Sequence, residues 1–474
     1  MLAIAVLLTL FAGATWLSAV NPRAALLLII FLVPWGGLVV DVGLRVVAWQ
    51  LVLAPLCLTT LVRLSQPGWS PPRLVCGSLL GALALWAVCM SLLQLGFLPG
   101  VGSAGGVLRG PAARAIVQIL FYLFGLSLAV LIPWLLNGID DLKRAVRLYI
   151  CSVVVLAIIG WLQLVIWYST GSNPLPINVV SDALGGIAAT YEGYFGFDAF
   201  TIYRMNSLAG EPRNLATALV LAMLIIQSIA MATPQVPGRK LAVIWVFMLI
   251  STLATFSTSA AVIWPVATAT LLPVMWVLGI KVQRSRKSII AGVLALVVPV
   301  TLGIVAAEAY GIPVLDLLAE RTLERLTSDG AVEDFDLAIT DYLRSDPAAA
   351  VTGVGLGNAH LYAMPFLDPL FALYAEGTVF TGKTTVVKMV SEIGAIGFGL
   401  FLLWYLSLVW QTRQVVRGHP EVAAAVPMAM MTIAVYLNTN QIAGEALLMA
   451  GGMALLVASL RQPEAPALPE AVPA

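Results

Sequence analysis

Long apolar runs separated by charged or Pro/Gly-rich breaks constrain this chain more than any other feature. A helix that crosses a bilayer needs about 20 consecutive apolar residues, and thirteen runs of the 474-residue sequence approach that length. Hydrophobic residues make up 60% of the chain and charged residues 10%, whereas soluble domains have roughly 45–50% and roughly 25%. The sequence therefore predicts an all-α integral membrane protein with about 12–13 transmembrane helices, and it excludes a soluble enzyme.

The same runs divide the chain into regions. The predicted spans are residues 2–20, 24–40, 46–62, 74–95, 115–136, 148–168, 215–232, 241–256, 260–280, 288–307, 392–410, 422–437 and 442–460. Region 1–307 then holds ten spans and an outer segment at 169–214, region 308–388 is a large extracytoplasmic helical loop, and region 389–461 holds three more spans. We interpret the first run as a helix because no basic n-region precedes it. The Pro-rich tail 462–474 is expected to be disordered.

The basic residues predict which side of the membrane each loop faces, because Lys and Arg concentrate in short cytoplasmic loops. With the basic loop 281–287 in the cytoplasm, most of the 25 Lys and Arg residues fall on that side. The loop 308–388 then faces the exterior with half of the 24 acidic residues. We therefore expect any chemistry outside, and the net charge of +1 gives no reason to expect a nucleic-acid partner.

Metal and nucleotide chemistry find little support in the residue pattern. The four cysteines lie within predicted spans without paired spacing, and the two histidines are too few for a histidine cluster, so we expect no metal and no cofactor. The glycine pattern at 100–105 follows no strand, and the P-loop pattern at 377–384 lies between an acidic segment and a spanning helix. Lys383 and Thr384 nevertheless open a helix whose N–H groups favour a phosphate oxygen, or they form a plain N-cap with a solvated lysine.

The outer segment 308–388 carries several candidate residues. A helix is predicted over 314–326, and a second one over 332–343 that stops before Pro347. Arg344 follows the second helix, where the dipole favours a cation, and the glycine-rich residues 353–357 predict a loop with an anion nest. His360 is a general base, an ordinary loop residue or a hydrogen-bonded tether to the acidic loop.

A further set of charges lies at a predicted membrane boundary. Arg204, Glu211 and Arg213 precede or open the seventh span, and Pro212 suits the first turn of its helix. One interpretation is an Arg213–Glu211 interfacial anchor. The alternative is that Arg204 and Arg213 hold a phosphate or diphosphate, because guanidinium groups match its geometry.

Four segments together resemble the bacterial O-antigen ligase and O-antigen polymerase (Wzy-like) superfamily of membrane glycosyltransferases. They are Arg204 with the turn 210–214, the Ser/Thr-rich stretch 251–259, the outer loop leading through Pro347 into 353–357, and Glu392-Ile393-Gly394. In that order they cover about half of the chain. Where the family has a histidine before the Glu-x-Gly segment, this chain has Lys383 or Thr384, and where it has an arginine early in the second loop helix, this chain has Glu333 and Asp334. His360, Arg344, Arg321 or Arg325 would then take the place of the family's histidine and arginine.

The resemblance implies a GT-C-like fold in the bacterial cytoplasmic membrane and glycan transfer at its outer face. The donor would be a polyprenyl-diphosphate-linked glycan, and the acceptor a second glycan in a polymerase or a lipid in a ligase, with other polysaccharide assembly proteins as partners. We predict the polymerase ahead of the ligase. The residues expected to act are Glu211, His360 and Arg344 in catalysis, and Arg204, Arg213, Lys383 and Thr384 in binding the diphosphate.

Two other classes remain as alternatives. A transporter or flippase would show related halves, and no internal repeat is visible in the sequence. A scaffold of a cell-envelope complex would use the acidic outer loop as a docking surface.

Overall fold

Helices make up most of the chain that the structure describes. The computed structural model describes residues 2–41, 45–66, 74–97, 110–171, 194–197, 200–233, 238–280, 305, 308, 334–367, 384–417, 419, 422–426, 428–430, 432 and 444–461. The glycine pattern at 100–105, the predicted helix 314–326, Lys383 and the tail 462–474 lie outside these residues, as does nearly all of the predicted span 288–307.

The described helices follow one another along the chain, with two short hairpins and three single turns of 3-10 helix between them. The first nine are α1 (Leu2–Val20), α2 (Pro22–Leu32), α3 (Ala48–Leu64), α4 (Gly77–Gln94), α5 (Pro111–Leu135), α6 (Gly138–Thr170), α7 (Pro212–Ala232), α8 (Gly238–Ala254) and α9 (Thr258–Val277). The others are α10 (Asp334–Ser345), α11 (Pro347–Thr352), α12 (Ala359–Ala363), α13 (Thr385–Val416) and α14 (Gly444–Arg461). The antiparallel hairpins are β1 (Val39–Asp41) with β2 (Arg45–Val47), and β3 (Tyr194–Phe197) with β4 (Phe200–Tyr203).

Six of the described helices are long and apolar enough to cross a membrane. They are α4 with the turn that extends it to Phe97, and α5, α6, α7, α13 and α14. Shorter apolar helical stretches lie at Leu8–Val20, Pro22–Leu32, Ala48–Leu64 and Ile263–Val277. The prediction of a helical, multi-pass membrane protein is confirmed at this level, while the number of 12–13 spans is not reached within the described residues.

The second predicted span, 24–40, is wrong in its extent. Helix α2 ends at Leu32, and the chain turns into strand β1. Pro34 lacks the N–H that continued helix would need. Gly37 also packs against the segment before α7: a Cβ there would lie 2.5 Å from the backbone nitrogen of Gly210. The helix therefore ends just before the residues whose backbone packs closely against the segment before α7.

Helix α6 begins earlier than the predicted span at 148, because an acidic first turn stabilises it. Asp141 accepts a hydrogen bond from the backbone N–H of Asn137 (2.8 Å) and pairs with Arg23. A carboxylate in the first turn also favours the helix dipole. As a result, Lys143 and Arg147 lie on the helix rather than in a loop.

A buried irregular segment connects β4 to α7. Ser207 donates from its hydroxyl to the Leu156 carbonyl (2.7 Å), and its N–H donates to the side chain of Gln163 (2.9 Å). Gln163 in turn donates to the hydroxyl of Tyr203 (2.9 Å). Non-helical backbone among membrane helices is stable only where protein groups satisfy it, and Gln163 of α6 provides this.

The apolar side chains in the described part of the chain form two cores. The larger one is shared by the long helices, from Leu26 in α2 to Leu456 in α14. The smaller one joins α10, α11 and α12 through Ile339, Ala349 and Ala363. The predicted helix 332–343 is confirmed as α10, whose residue Ile339 is fully buried. These short helices therefore fold on a core of their own.

Candidate functional site

Helix α13 is broken at Gly394, and the loop 353–357 fills the break. Gly394 has φ +73° and ψ 172°, a conformation open essentially to glycine alone. The break leaves helix carbonyls without intrahelical donors. The N–H of Val354 donates to the Ser391 carbonyl (2.8 Å), and the N–H of Gly355 donates to the Glu392 carbonyl (3.0 Å). The outer loop thus completes the hydrogen bonding of a membrane helix.

The fit between loop and helices leaves no space for side chains at the loop glycines. A Cβ on Gly353 would lie 2.5 Å from the Glu392 carbonyl oxygen, and one on Gly357 would lie 2.6 Å from Cγ of Gln118. Both glycines have positive φ angles. Glycine at these two positions is therefore required by both conformation and space.

The predicted anion nest in this loop is wrong, because its donors are already used. Beyond the two N–H groups at the break, the N–H of Leu356 donates to the hydroxyl of Ser91 (3.0 Å). The N–H of Gly357 donates to Oε1 of Glu392 (3.2 Å). The four N–H groups of residues 354–357 hold the loop in place rather than standing open to a ligand.

His360 lies directly beside Arg114. Arg114 occupies the first turn of α5, and the α12 segment is tied to that turn by Asn358, whose side-chain NH₂ group donates to the Pro111 carbonyl (3.4 Å). The guanidinium Nη1 of Arg114 contacts Nε2 of His360. Because a guanidinium only donates hydrogen bonds, Nε2 accepts and the imidazole proton resides on Nδ1.

The surroundings of His360 keep its ring neutral. Burial and the adjacent Arg114 charge lower the pKa of His360 to about 4, with a hydrogen bond to the Gly357 backbone partly opposing them. The ring is therefore an uncharged acceptor near pH 7, in contact with a cation.

A carboxylate and a phenol complete what we call the Arg114 cluster: Arg114, Tyr122, His360 and Glu392. Glu392 is buried, and its carboxylate accepts the hydrogen bond from Gly357. The Tyr122 hydroxyl is buried without a hydrogen-bond partner among the described residues, within electrostatic reach of Glu392. Ionisable groups among membrane helices are functional candidates by default. Together these groups can bind an anion and accept a proton.

The predicted residues Arg204, Glu211 and Arg213 lie around the start of α7. The Arg204 Nε donates to the Thr255 carbonyl (3.2 Å), and the N–H of Met205 donates to the Ala254 carbonyl (3.1 Å). Glu211 occupies the N-cap position of α7, and both Glu211 and Arg213 are half-buried. Pro212 lies in the first turn as predicted.

Arg344 and Thr384 lie in a third setting, on α10 and at the start of α13. Arg344 is exposed and pairs with Asp341 (3.1 Å). The Thr384 hydroxyl accepts the N–H of Val387 (3.4 Å), and the N–H of Thr384 donates to the buried carboxylate of Asp336 (3.0 Å). A carboxylate of the protein thus already occupies the helix N-terminus where a phosphate was expected.

The four segments that suggested a glycosyltransferase superfamily meet in two pairs. The segment at 204–214 contacts 251–259 through Met205 and Ala254, and the loop 353–357 contacts Glu392 and Gly394. No protein-family model matches the chain, and no curated protein matches it.

Sequence reasoning missed Arg114, Glu392 and Tyr122 as site residues. Arg114 is a charge within the first turn of an apolar span, and Glu392 is a charge within another. Such charges were a usable signal, because they are rare among membrane helices. Tyr122 gave no signal of its own. No group of three or more His, Cys, Asp or Glu side chains in the described ranges could hold a metal ion.

Proposed function

We propose that the protein is a membrane glycosyltransferase that polymerises polyprenyl-diphosphate-linked oligosaccharides at the outer face of the cytoplasmic membrane, producing O-antigen or exopolysaccharide. The observation that carries this proposal is the Arg114 cluster beside a broken membrane helix. A cation and a neutral imidazole are in contact there, and a buried carboxyl group holds the N–H of Gly357, three residues before the imidazole. Glycosyl transfer from a diphosphate needs a base for the acceptor hydroxyl and a cation for the leaving group. The resemblance of the four segments supports the same class of reaction.

In the proposed reaction, the acceptor hydroxyl oxygen bonds to the anomeric carbon of the donor glycan. The bond between that carbon and the diphosphate oxygen breaks, and polyprenyl diphosphate leaves as an anion. The Arg114 guanidinium turns from His360 to the diphosphate, which frees Nε2 of His360 to take the hydroxyl proton. Arg114 binds the diphosphate, since arginine pairs well with phosphate oxygens. Glu392 is a positioning residue, because it holds the N–H of Gly357 and so the loop that leads to His360.

Binding of the donor would also tune the base. The Arg114 charge is one of the two causes that lower the pKa of His360. A bound diphosphate neutralises that charge, so the pKa of His360 rises when substrate is present. The imidazole then becomes a stronger proton acceptor at the step that needs it.

The other predicted residues, apart from Thr384, keep their proposed roles. Arg204 and Arg213 hold the diphosphate or the adjoining sugar, with Lys383 assisting, and Arg344 positions donor or acceptor. Thr384 is left out because its N–H already donates to the carboxylate of Asp336. Glu211 is the alternative base. Transfer of the glycan to an acceptor lipid, as in a ligase, uses the same chemistry and is the second candidate.

The surface-glycan profile of a strain lacking the gene tests the proposal. The strain is complemented with the wild-type gene, with one of the variants Arg114→Ala, His360→Ala and Arg213→Ala, or with the control Arg417→Ala. Arg417 is an exposed cation at the end of α13. At equal protein levels by immunoblot, we expect the wild type and the control to restore long glycan chains and the three other variants to fail to do so.

The pattern of loss separates the candidates. Single repeats still attached to the surface indicate a polymerase, whereas lipid-linked chains that accumulate without attachment indicate a ligase. Full restoration by Arg114→Ala would remove the Arg114 cluster from the mechanism. An unchanged profile in the deletion strain would reject both enzymes in favour of a transporter, flippase or scaffold.

A further inference from the structure

A cavity of about 720 Å³ lies among α5, α6, α7 and α14. Its walls include Ile132 and Leu136 from the end of α5, and Ile229 from the end of α7. Arg114 and Arg213 lie in the first turns of those same two helices. The cavity is therefore at the opposite end of the helix bundle from the candidate site.

The cavity has an apolar interior and a basic rim. Its size falls within the range of roughly 300–1,000 Å³ that is usual for ligand pockets. Aliphatic side chains form most of the interior, among them Val146, Leu221 and Leu448. The rim carries three exposed cations: Lys143, Arg147 and Lys240.

The rim cations differ in how far they are already paired. Lys143 lies 3.8 Å from the carboxylate of Asp140. Arg147 and Lys240 form no ion pair with any residue in the described part of the chain. Two positive charges at the mouth of an apolar cavity are thus available to an anion.

The buried part of the cavity, unlike the rim, disfavours an anion. Glu445 and Tyr149 line it and are both buried. A second negative group next to a buried carboxylate is unfavourable. An anionic ligand would therefore keep its charge at the rim and place an uncharged part inside.

We propose that this cavity binds an anionic membrane phospholipid. An acyl chain fills the apolar interior, and the phosphate lies against Arg147 and Lys240, with Lys143 beside them. Basic pockets between transmembrane helices recognise anionic lipid headgroups by charge, so charge complementarity selects phosphatidylglycerol over phosphatidylcholine with the same chains. The inference is independent of the proposed transferase activity.

Native mass spectrometry of the full-length protein in detergent tests this site. The wild type is titrated with phosphatidylglycerol or phosphatidylcholine, beside an Arg147→Gln/Lys240→Gln double variant and the control Arg417→Gln. In an Ala425→Trp variant, the larger side chain on the cavity wall occupies part of the cavity and leaves the rim charges unchanged. We expect phosphatidylglycerol affinity to fall about tenfold or more in the double variant, to fall also in Ala425→Trp, and to stay unchanged in the control.

Three results would overturn the proposal. Equal binding of the two lipids by the wild type would remove the charge selection. Undiminished phosphatidylglycerol binding by Ala425→Trp would place the lipid elsewhere, and a polyprenyl phosphate that displaces phosphatidylglycerol at lower concentration would identify a different occupant. If the double variant does not insert into the membrane, the salt dependence of lipid binding by the wild type tests the proposal instead. The preference of the wild type for phosphatidylglycerol must then weaken as the salt concentration is raised.

Discussion

Arg114 and His360 show how one contact sets the chemistry of a side chain. A guanidinium beside an imidazole opposes protonation of the ring, and burial opposes it further. The same contact fixes which ring nitrogen accepts a hydrogen bond. The pair thus gives His360 a defined charge and tautomer before any ligand arrives.

The first prediction concerns stability at acidic pH. The folded-state pKa of His360 is about 4, below an unfolded value of about 6.5, so between these values the unfolded chain binds more protons. Stability is complete above the unfolded pKa and is lost as pH falls towards the folded pKa, by roughly 3 kcal/mol in total. Thermal unfolding in detergent from pH 8 to pH 4 should show this loss in the wild type and a smaller one in His360→Gln.

The Arg114→Gln variant serves as the internal check. Burial remains but the like charge is gone, so the pKa of His360 should rise and the acid-dependent loss should shrink without vanishing. Identical pH profiles for wild type, His360→Gln and Arg114→Gln would contradict the assigned protonation state.

At the scale of elements, the break in α13 leads to the second prediction. A Cβ at position 394 would lie 2.2 Å from the Val351 carbonyl oxygen, in a conformation that alanine rarely adopts. Gly394→Ala should therefore destabilise the protein by about 1–3 kcal/mol or more. Gly399→Ala is the matched control, because a Cβ at 399 on the same helix meets nothing within 4 Å. Melting temperatures compare the two, and equal values would show that the break is not required.

The third prediction concerns the docking of α10 onto α13. Asp336→Asn weakens the charge-assisted hydrogen bond to the N–H of Thr384, which should cost about 1 kcal/mol. Hydrogen exchange should then accelerate in α10 and in the first turn of α13. Asp341→Asn removes only an exposed ion pair with Arg344 and should change stability by less than about 0.5 kcal/mol. Similar exchange in the two variants would argue against a capping role for Asp336.

The ends of a helix could be predicted where nearby residues determine them, but not where residues distant in the sequence do. Pro212 and the apolar run after it predicted the start of α7. Thr384 was expected to open a helix and caps α13. The break at Gly394, within the predicted span 392–410, was not expected, because residues of the outer loop satisfy the broken ends. Arg114 and His360 are 246 positions apart, and no local pattern reports such a contact. The site was therefore only partly predictable.

For the whole molecule, the charge distribution predicts orientation. The Lys240 end should face the cytoplasm and Arg344 the exterior. In a background without the four native cysteines, Arg344→Cys should react with an impermeant maleimide in spheroplasts. Lys240→Cys and Arg417→Cys should react only after lysis. The reverse pattern would place the Arg114 cluster in the cytoplasm and exclude transfer at the outer face.

The contact between the loop 353–357 and α13 also has a consequence for biosynthesis. A helix that ends within the bilayer carries carbonyls that lipid cannot satisfy, yet the groups that satisfy those of Ser391 and Glu392 belong to residues earlier in the chain. These residues are synthesised before α13. Synthesis from the N-terminus thus makes the cap ahead of the helix that needs it.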